Sequence, residues 1–160
     1  MLKDPVKTKN ETVEWIREYF EQNGKGCKAV IGISGGKDSM LLAKCIQHLQ
    51  KHSDFPFEAK YLVLDPGYSQ ENIEKIKYNA NLLDIPIEIF EGRIFDYVVD
   101  VEDNPCYLCA RMRRGCLYAK AQELGCDTIV TGHYARVEWS AERNRWLLKK
   151  AKNLPKDQSY

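Results

Sequence analysis

Ala29-Val30-Ile31-Gly32-Ile33-Ser34-Gly35-Gly36-Lys37-Asp38-Ser39-Met40-Leu41-Leu42-Ala43-Lys44 reads as a buried strand, a glycine turn and the start of a helix. Val30, Ile31 and Ile33 form a short β-branched run. Gly35 and Gly36 let an anion approach the backbone, and Asp38 or Ser39 is placed to cap a helix continuing through Leu49. Free amides at such a turn and the helix dipole converge on one negative charge, so the layout predicts a phosphate-binding site.

The spacing narrows the choice. A Walker loop sets its two glycines further apart, directly before Lys and Ser/Thr, and the dinucleotide fingerprint needs a third glycine downstream; neither fits. An ordinary glycine-rich turn carrying a solvated lysine is the plain alternative, and the strand-to-helix context disfavours it. Ser34-Gly35-Gly36-Lys37-Asp38-Ser39 instead matches the signature of the ATP pyrophosphatase superfamily, the PP-loop enzymes. That resemblance implies a Rossmann-like adenine nucleotide α-hydrolase fold, a parallel sheet with helices on both faces. It also implies cleavage of ATP between the α and β phosphates and adenylation of a carbonyl oxygen, with Mg²⁺ assisting. Nucleotide contacts are then expected from Ile33, Ser34, Gly35, Gly36, Lys37, Asp38 and Ser39, with Lys37 on the leaving phosphates and Asp38 a candidate Mg²⁺ ligand.

Working outward, the elements alternate as they do when a parallel sheet is built, and no internal repeat or low-complexity tract interrupts them. A helix is expected over about 12–22, where Val13, Ile16 and Phe20 share a face. The first strand, about 29–33, is followed by its helix to about 52 and by a second strand over 59–64 that stops at Asp65-Pro66-Gly67. Ile73, Ile76, Ala80 and Leu83 recur at helical spacing, and Pro86-Ile87-Glu88-Ile89-Phe90 reads as a third strand. An acidic loop leads to a long helix from about 107 to 124, a stop at Gly125 and a fourth strand over 128–131. Ligands of such sheets sit beyond the carboxyl ends of the strands, where Leu64, Asp65, Gly132 and His133 would join the glycine loop. Asp65, opening an Asp-Pro-Gly turn, has an equally good structural role, and His133 is a candidate to line the site, whereas His48 and His52 read as surface residues.

The 160 residues suit one domain, expected to span 1–160. A net charge of +1 means that any nucleic-acid affinity must come from a local patch. Without a membrane-length apolar stretch or a secretory leader, the expectation is a cytoplasmic protein with no membrane partner. Six cysteines in that setting argue for core thiols, metal ligation or redox chemistry over a disulfide framework. Cys27, Cys45, Cys116 and Cys126 read as core thiols, although Cys116 can share a helix face with Cys109. Cys106 and Cys109 are compatible with an iron–sulfur or zinc half-site, a redox dithiol or coincidence, and no second Cys-x-x-Cys or close His pair completes a zinc site. At the start of a helix and near Arg111, Arg113 and Arg114, a thiolate at Cys109 is expected to be favoured. The three arginines either grip RNA phosphates or form a solvated helix face.

From about 28 to 131 the chain resembles the tRNA 2-thiocytidine synthetase family, through Ser-Gly-Gly-Lys-Asp-Ser-Met-Leu-Leu-Ala-Lys-Cys, Leu-Asp-Pro-Gly-Tyr and Pro105-Cys106-Tyr107-Leu108-Cys109-Ala110-Arg111-Met112-Arg113-Arg114-Gly115. In that family the paired cysteines and a later third hold a [4Fe–4S] cluster. Gly132-His133-Tyr134-Ala135-Arg136-Val137 departs from it, lacking the paired aspartates, and from 131 to 160 the chain is similar to the tRNA 2-thiouridylases. Thr131-Gly132-His133-Tyr134-Ala135-Arg136, two apparent strands around Trp146-Leu147-Leu148 and Lys156-Asp157-Gln158-Ser159-Tyr160 carry that similarity. Asn104-Pro105 and Cys109 fit it too, Cys109 at the attacking cysteine's position and Lys156-Asp157-Gln158 in the segment that touches tRNA. The resemblances imply tRNA thiolation, 2-thiocytidine chemistry slightly ahead, with Cys106, Cys109 and Lys37 catalytic and Asn104, Pro105, Arg111, Arg113, Arg114, Lys156, Asp157 and Gln158 facing RNA. A sulfur-donor protein such as a cysteine desulfurase or relay is the implied partner, and homodimerisation is left open. Both families place a later cysteine beyond Tyr160, so the domain is expected to be truncated. A PP-loop amidating ligase of the NAD synthetase kind, or a non-catalytic nucleotide-binding module, would share Gly32–Ser39 without using the cysteine pair.

Overall fold

The structure, a computed structural model, describes residues 4–98, 105–133, 136–152 and 154. Eleven elements follow one another: α1 Pro5–Asn23, β1 Lys28–Gly32, α2 Lys37–His52, β2 Glu58–Asp65, α3 Gln70–Leu82, β3 Ile87–Glu91, α4 Ile94–Val98, α5 Pro105–Glu123, β4 Thr128–Val130, β5 Arg136–Ser140 and β6 Arg145–Lys149. β1 to β4 form one sheet in the order β3-β2-β1-β4, and every pairing in it is parallel. β5 and β6 pair antiparallel as a separate hairpin.

Side-chain alternation along β1 explains the layering. Ala29, Ile31 and Ile33 enter the larger core with Ile16 and Phe20 of α1, Met40, Ala43, Ile46 and Leu49 of α2, and Ile76 and Ala80 of α3. Val30 points the other way, joining Leu62 and Ala121 with Leu117, Leu124 and Ile129 packed around them. Gly32 faces α5 so closely that a Cβ there would lie 3.0 Å from Leu117 Cδ2. Helices therefore cover both faces of a parallel sheet, and a strand buried on both sides reads as the nearly unbroken apolar run seen at 29–33.

Several boundaries differ from the sequence expectation for identifiable reasons. α1 begins seven residues earlier than expected, at Pro5, because Asp4 caps it by accepting from Lys7 N at 2.9 Å with proline at the first helical position. α4 replaces part of the expected acidic loop; only five residues long, it anchors through buried Ile94 and Val98. Neither Asp38 nor Ser39 caps α2: the helix starts at Lys37 behind Gly36, and no side chain caps it. α5 starts at Pro105 instead of about 107, which puts Cys106 in its first turn and Cys109 in its second. Cys27 and Cys45 are buried as expected, whereas Cys116 and Cys126 are only half-buried.

Candidate nucleotide site and cysteine helix

The strand order reverses direction at β1, whose neighbours are β2 and β4, and a ligand crevice opens at the carboxyl ends of strands at such a switch point. The loop leaving β1 there is braced by a buried hydroxyl. Ser39 Oγ donates to Gly36 O at 3.0 Å, accepts from Ser34 N at 3.2 Å, and lies 3.1 Å from Ser34 Oγ. Gly35 adopts φ +81°, and a Cβ on it would come within 2.6 Å of Ile76 Cγ1. Glycine is thus required twice over, by backbone conformation and by the approach of α3. With Gly36 supplying no capping oxygen, the first amides of α2 are left for an anion.

Lys37 and Asp38 extend into solvent with side chains 88% and 73% exposed, joined Nζ to Oδ2 at 3.1 Å. An exposed pair contributes little to stability, so both are free to re-pair with phosphate or its cation. Gly132 at the end of β4 packs on the same turn, its position for a Cβ being 3.5 Å from the Asp38 carbonyl carbon. His133 follows, exposed at its residue surface; partial desolvation, and secondarily the charge of Arg114, lower its pKa below the ordinary 6.5.

Other sequence-marked positions have structural partners of their own beside the crevice. Ile33 buries its side chain in the core and donates its N–H to Leu62 O at 2.8 Å. Leu64 packs toward Gly92, where a Cβ would meet its Cδ1 at 2.6 Å. Asp65 Oδ1 accepts from Gly67 N at 2.9 Å and Tyr68 N at 2.7 Å, so its structural role in the turn is realised.

A cleft of ≈ 310 Å³ opens beside the loop, lined by Ser34, Gly35, Gly36, Tyr68, Asn72, Lys75, Ile76 and Asn79. This is the low end of small-molecule sites, which run about 300–1,000 Å³. Tyr68 and the α3 residues were missed from sequence, although Asn72, Lys75, Ile76 and Asn79 sit at i, i+3, i+4 and i+7, one helix face carrying a cation and two amides toward the loop. Another cleft, of ≈ 200 Å³ around Gly26, Gln50, Ser53 and Phe55, lies at the amino ends of the strands and contains none of the marked residues.

On α5, Cys106 is exposed and Cys109 half-buried, both as free thiols. Three residues apart, they neighbour each other on the helix surface. Among the described residues no three His, Cys, Asp or Glu side chains gather where they could hold a metal. The two thiols therefore do not by themselves fit a [4Fe–4S] cluster, which needs more protein ligands. A Mg²⁺ ion would likewise have to rest chiefly on the phosphates it accompanies, with Asp38 as the chain's one exposed carboxylate in the loop. Pro105 and Arg111 are exposed, Arg114 is half-buried, and Arg113 is turned inward onto Tyr68 and Phe95. Asn104, Lys156, Asp157 and Gln158 lie outside the described residues.

Fold and family together define a PP-loop protein, an α/β domain with a glycine turn between its first parallel strand and the helix that follows. The chain belongs to the tRNA methyl transferase HUP domain family, which matches residues 27–160. It is 35% identical over 147 residues to the tRNA-specific 2-thiouridylase MnmA of Campylobacter fetus, covering 83% of this chain and 40% of that protein. The MnmA of Moorella thermoacetica is 38% identical over 154 residues, covering 82% and 42%. The chain thus spans about 40% of the length of these curated relatives.

Among solved structures, the U34-tRNA thiolase NcsA of Methanococcus maripaludis, described with its [4Fe–4S] cluster, aligns with TM-score 0.63 at 24% identity, over 78% of this chain and 45% of that one. The NH3-dependent NAD synthetase of Campylobacter jejuni aligns with TM-score 0.59 at 22% identity, over 79% and 55%. At such identities these likenesses speak to the fold. No helix among the described residues is long and apolar enough to cross a membrane.

Proposed function

We propose that this chain is the ATP-binding, cysteine-bearing part of a tRNA-thiolating enzyme of the 2-thiouridylase type. The observation that carries the reading is the joining, through Tyr68, of a phosphate-cradling loop and a helix bearing Cys106 and Cys109. An amidating ligase would need the loop but leaves the cysteine helix without a task. The curated relatives favour uridine over the cytidine expected from the 28–131 resemblance.

Oxide is a poor leaving group, so a uracil O2 must first be converted. Attack of O2 on the α phosphorus of ATP expels pyrophosphate and leaves an O2-adenylate; a sulfur nucleophile then adds at C2 and expels AMP. Gly35 and Gly36 amides, the α2 terminus and Lys37 stabilise the charge that builds on the departing pyrophosphate. Cys109, loaded as a persulfide by the donor protein, bonds its terminal sulfur to C2 as AMP leaves. A second thiolate, Cys106 being the one beside it, then cleaves the S–S bond, leaving the sulfur on C2 and a disulfide that an external thiol reduces. Arg111, Arg114 and Pro105 face the RNA. The sulfur comes from a donor protein, and Mg²⁺ enters bound to ATP.

The test is release of pyrophosphate and AMP from ATP with and without tRNA, on wild type and Cys109→Ser, alongside iron and sulfide assays after anaerobic purification. Pyrophosphate release that needs tRNA, persists in Cys109→Ser and yields thiolated uridine only with Cys109 supports the reading. Iron lost together with Cys106 and Cys109 would make the sulfur step cluster-dependent, and recovery of 2-thiocytidine instead of 2-thiouridine from the tRNA would return the cytidine reading to the front. ATP bound without any tRNA-dependent turnover would make the chain a nucleotide-binding module.

A further inference from the structure

The arginine cluster of α5 is not a uniform RNA-facing patch. Arg113 donates from Nη1 to Tyr68 Oη at 3.2 Å, and its guanidinium carbon lies 5.5 Å from the Tyr68 ring centroid and 5.6 Å from that of Phe95. The two rings meet edge to face at 5.9 Å and 79°. Arg113 Nε is buried and has no hydrogen-bond partner among the described residues. A side chain reaching for phosphate would not bury that nitrogen, and an unsatisfied buried donor calls for a compensating role.

We propose that Arg113 is a positioning residue that locks the cysteine helix to the wall of the nucleotide cleft, so that occupancy of the cleft is felt at Cys109. The inference rests on the function proposed above. Arg113 stands four residues after Cys109 on α5, hence on the same face one turn further on. Tyr68 lines the cleft with Ser34, Gly35 and Gly36 and is fixed through its N–H to Asp65 Oδ1 at 2.7 Å. Phe95 is fixed in turn, donating its N–H to Pro66 O at 2.8 Å. One planar cation therefore joins the turn after β2, α4 and α5. Because the phenol oxygen accepts from Arg113, the Tyr68 proton is left to donate, and an acceptor arriving in the cleft competes for the orientation of that ring. Lysine can supply the charge but neither the flat stacking surface nor the fork.

The experiment measures the rate of Cys109 alkylation by iodoacetamide with and without Mg²⁺ and α,β-methylene-ATP, locating the adduct by fragment ions to separate Cys109 from Cys106. Nucleotide binding is measured first, on the same preparations. In wild type the nucleotide should change the Cys109 rate by about fivefold or more, in line with ordinary coupling between sites. In Arg113→Lys, Arg113→Met and Phe95→Leu the nucleotide still binds but the change should largely vanish, with Phe95→Leu, which removes a ring from the lock without touching the cleft lining, deciding the matter if an Arg113 variant fails to fold.

Persistence of the effect in folded Arg113→Lys and Phe95→Leu overturns the proposal, as does a wild type that binds nucleotide with no change at Cys109. An intact effect in Arg113→Met with the salt slope of tRNA binding lowered by about one unit would make Arg113 a phosphate contact instead. A wild type that does not bind the nucleotide refutes the functional reading itself, and this inference with it.

Discussion

A Cβ at Gly35 would stand 2.6 Å from Cγ1 of Ile76, so the glycine loop and α3 are shaped to each other. The same Ile76 belongs to the core and to the cleft wall. Replacing Gly35 by alanine meets two penalties: a positive φ, worth about 1–2 kcal/mol, and overpacking, worth about 1–3 kcal/mol. The expected outcome is a melting temperature lowered by several degrees and ATP affinity lost. In Gly35→Ala/Ile76→Ala the steric part should be relieved, so the double mutant is less destabilised than the sum of the singles. Strict additivity in denaturant unfolding would show that the contact is not felt.

Ser39 and Lys37 separate stability from binding within one loop. Ser39 is buried and its hydroxyl joins Ser34 to Gly36, whereas the Lys37 side chain is exposed and pairs with the exposed Asp38. Ser39→Ala should lower unfolding free energy by about 1–3 kcal/mol, the scale for removing a partner from buried polar groups. Lys37→Ala should leave it within about 0.5 kcal/mol, as surface changes do. Lys37→Ala should nevertheless slow tRNA-dependent pyrophosphate release, while Ser39→Ala weakens nucleotide binding by loosening the loop. Chemical denaturation and a pyrophosphate-release assay on the two proteins check the contrast; equal stability losses would contradict it.

The sheet was legible because each of its strands is an apolar run closed by a turn signal, and the crevice followed from strand order. Short α4 was not, since five residues hold only Ile94 and Val98 at one helical spacing and no period can be read from them. The Asp4-Pro5 start of α1 was available as a cap signal, but its first turns carry no apolar stripe to attract notice. In the site, the glycine loop and its Gly132 neighbour could be read from motifs. The facing wall could not, because Lys75 and its amide neighbours look like an ordinary solvated helix face until α3 is docked. Arg113 shows the reverse error: three clustered arginines suggested one surface, yet a helix turns about 100° per residue and sent this one inward.

Lys75 tests that wall. It lines the cleft opposite the loop amides and forms no ion pair within the described residues, so its charge is available to an incoming anion. Lys75→Ala should weaken ATP binding by about tenfold, the size of one charge-assisted hydrogen bond, with no loss of melting temperature. The deficit should shrink as ionic strength rises. Lys75→Arg should retain most of the affinity. ATP binding measured by calorimetry at two salt concentrations decides it: unaltered affinity in Lys75→Ala would remove α3 from the nucleotide site.

His133 should report on the site by titration. Burial first, and Arg114 second, disfavour its charged form, so the native chain takes up this proton less readily than the unfolded one. The sign follows from linkage: stability from this group is complete above the ordinary value of 6.5 and is lost as pH falls toward and through the depressed native value. Imidazole resonances assigned with His133→Gln, which separates them from the similarly lowered His48, should give a midpoint below that of an exposed histidine. Arg114→Gln should raise the midpoint only part of the way, because burial is the larger cause. Adding ATP should raise it further if the phosphates settle beside Gly132, since nearby negative charge favours the imidazolium. A native midpoint at or above the ordinary value, or one indifferent to both Arg114 and ATP, would place His133 outside the crevice.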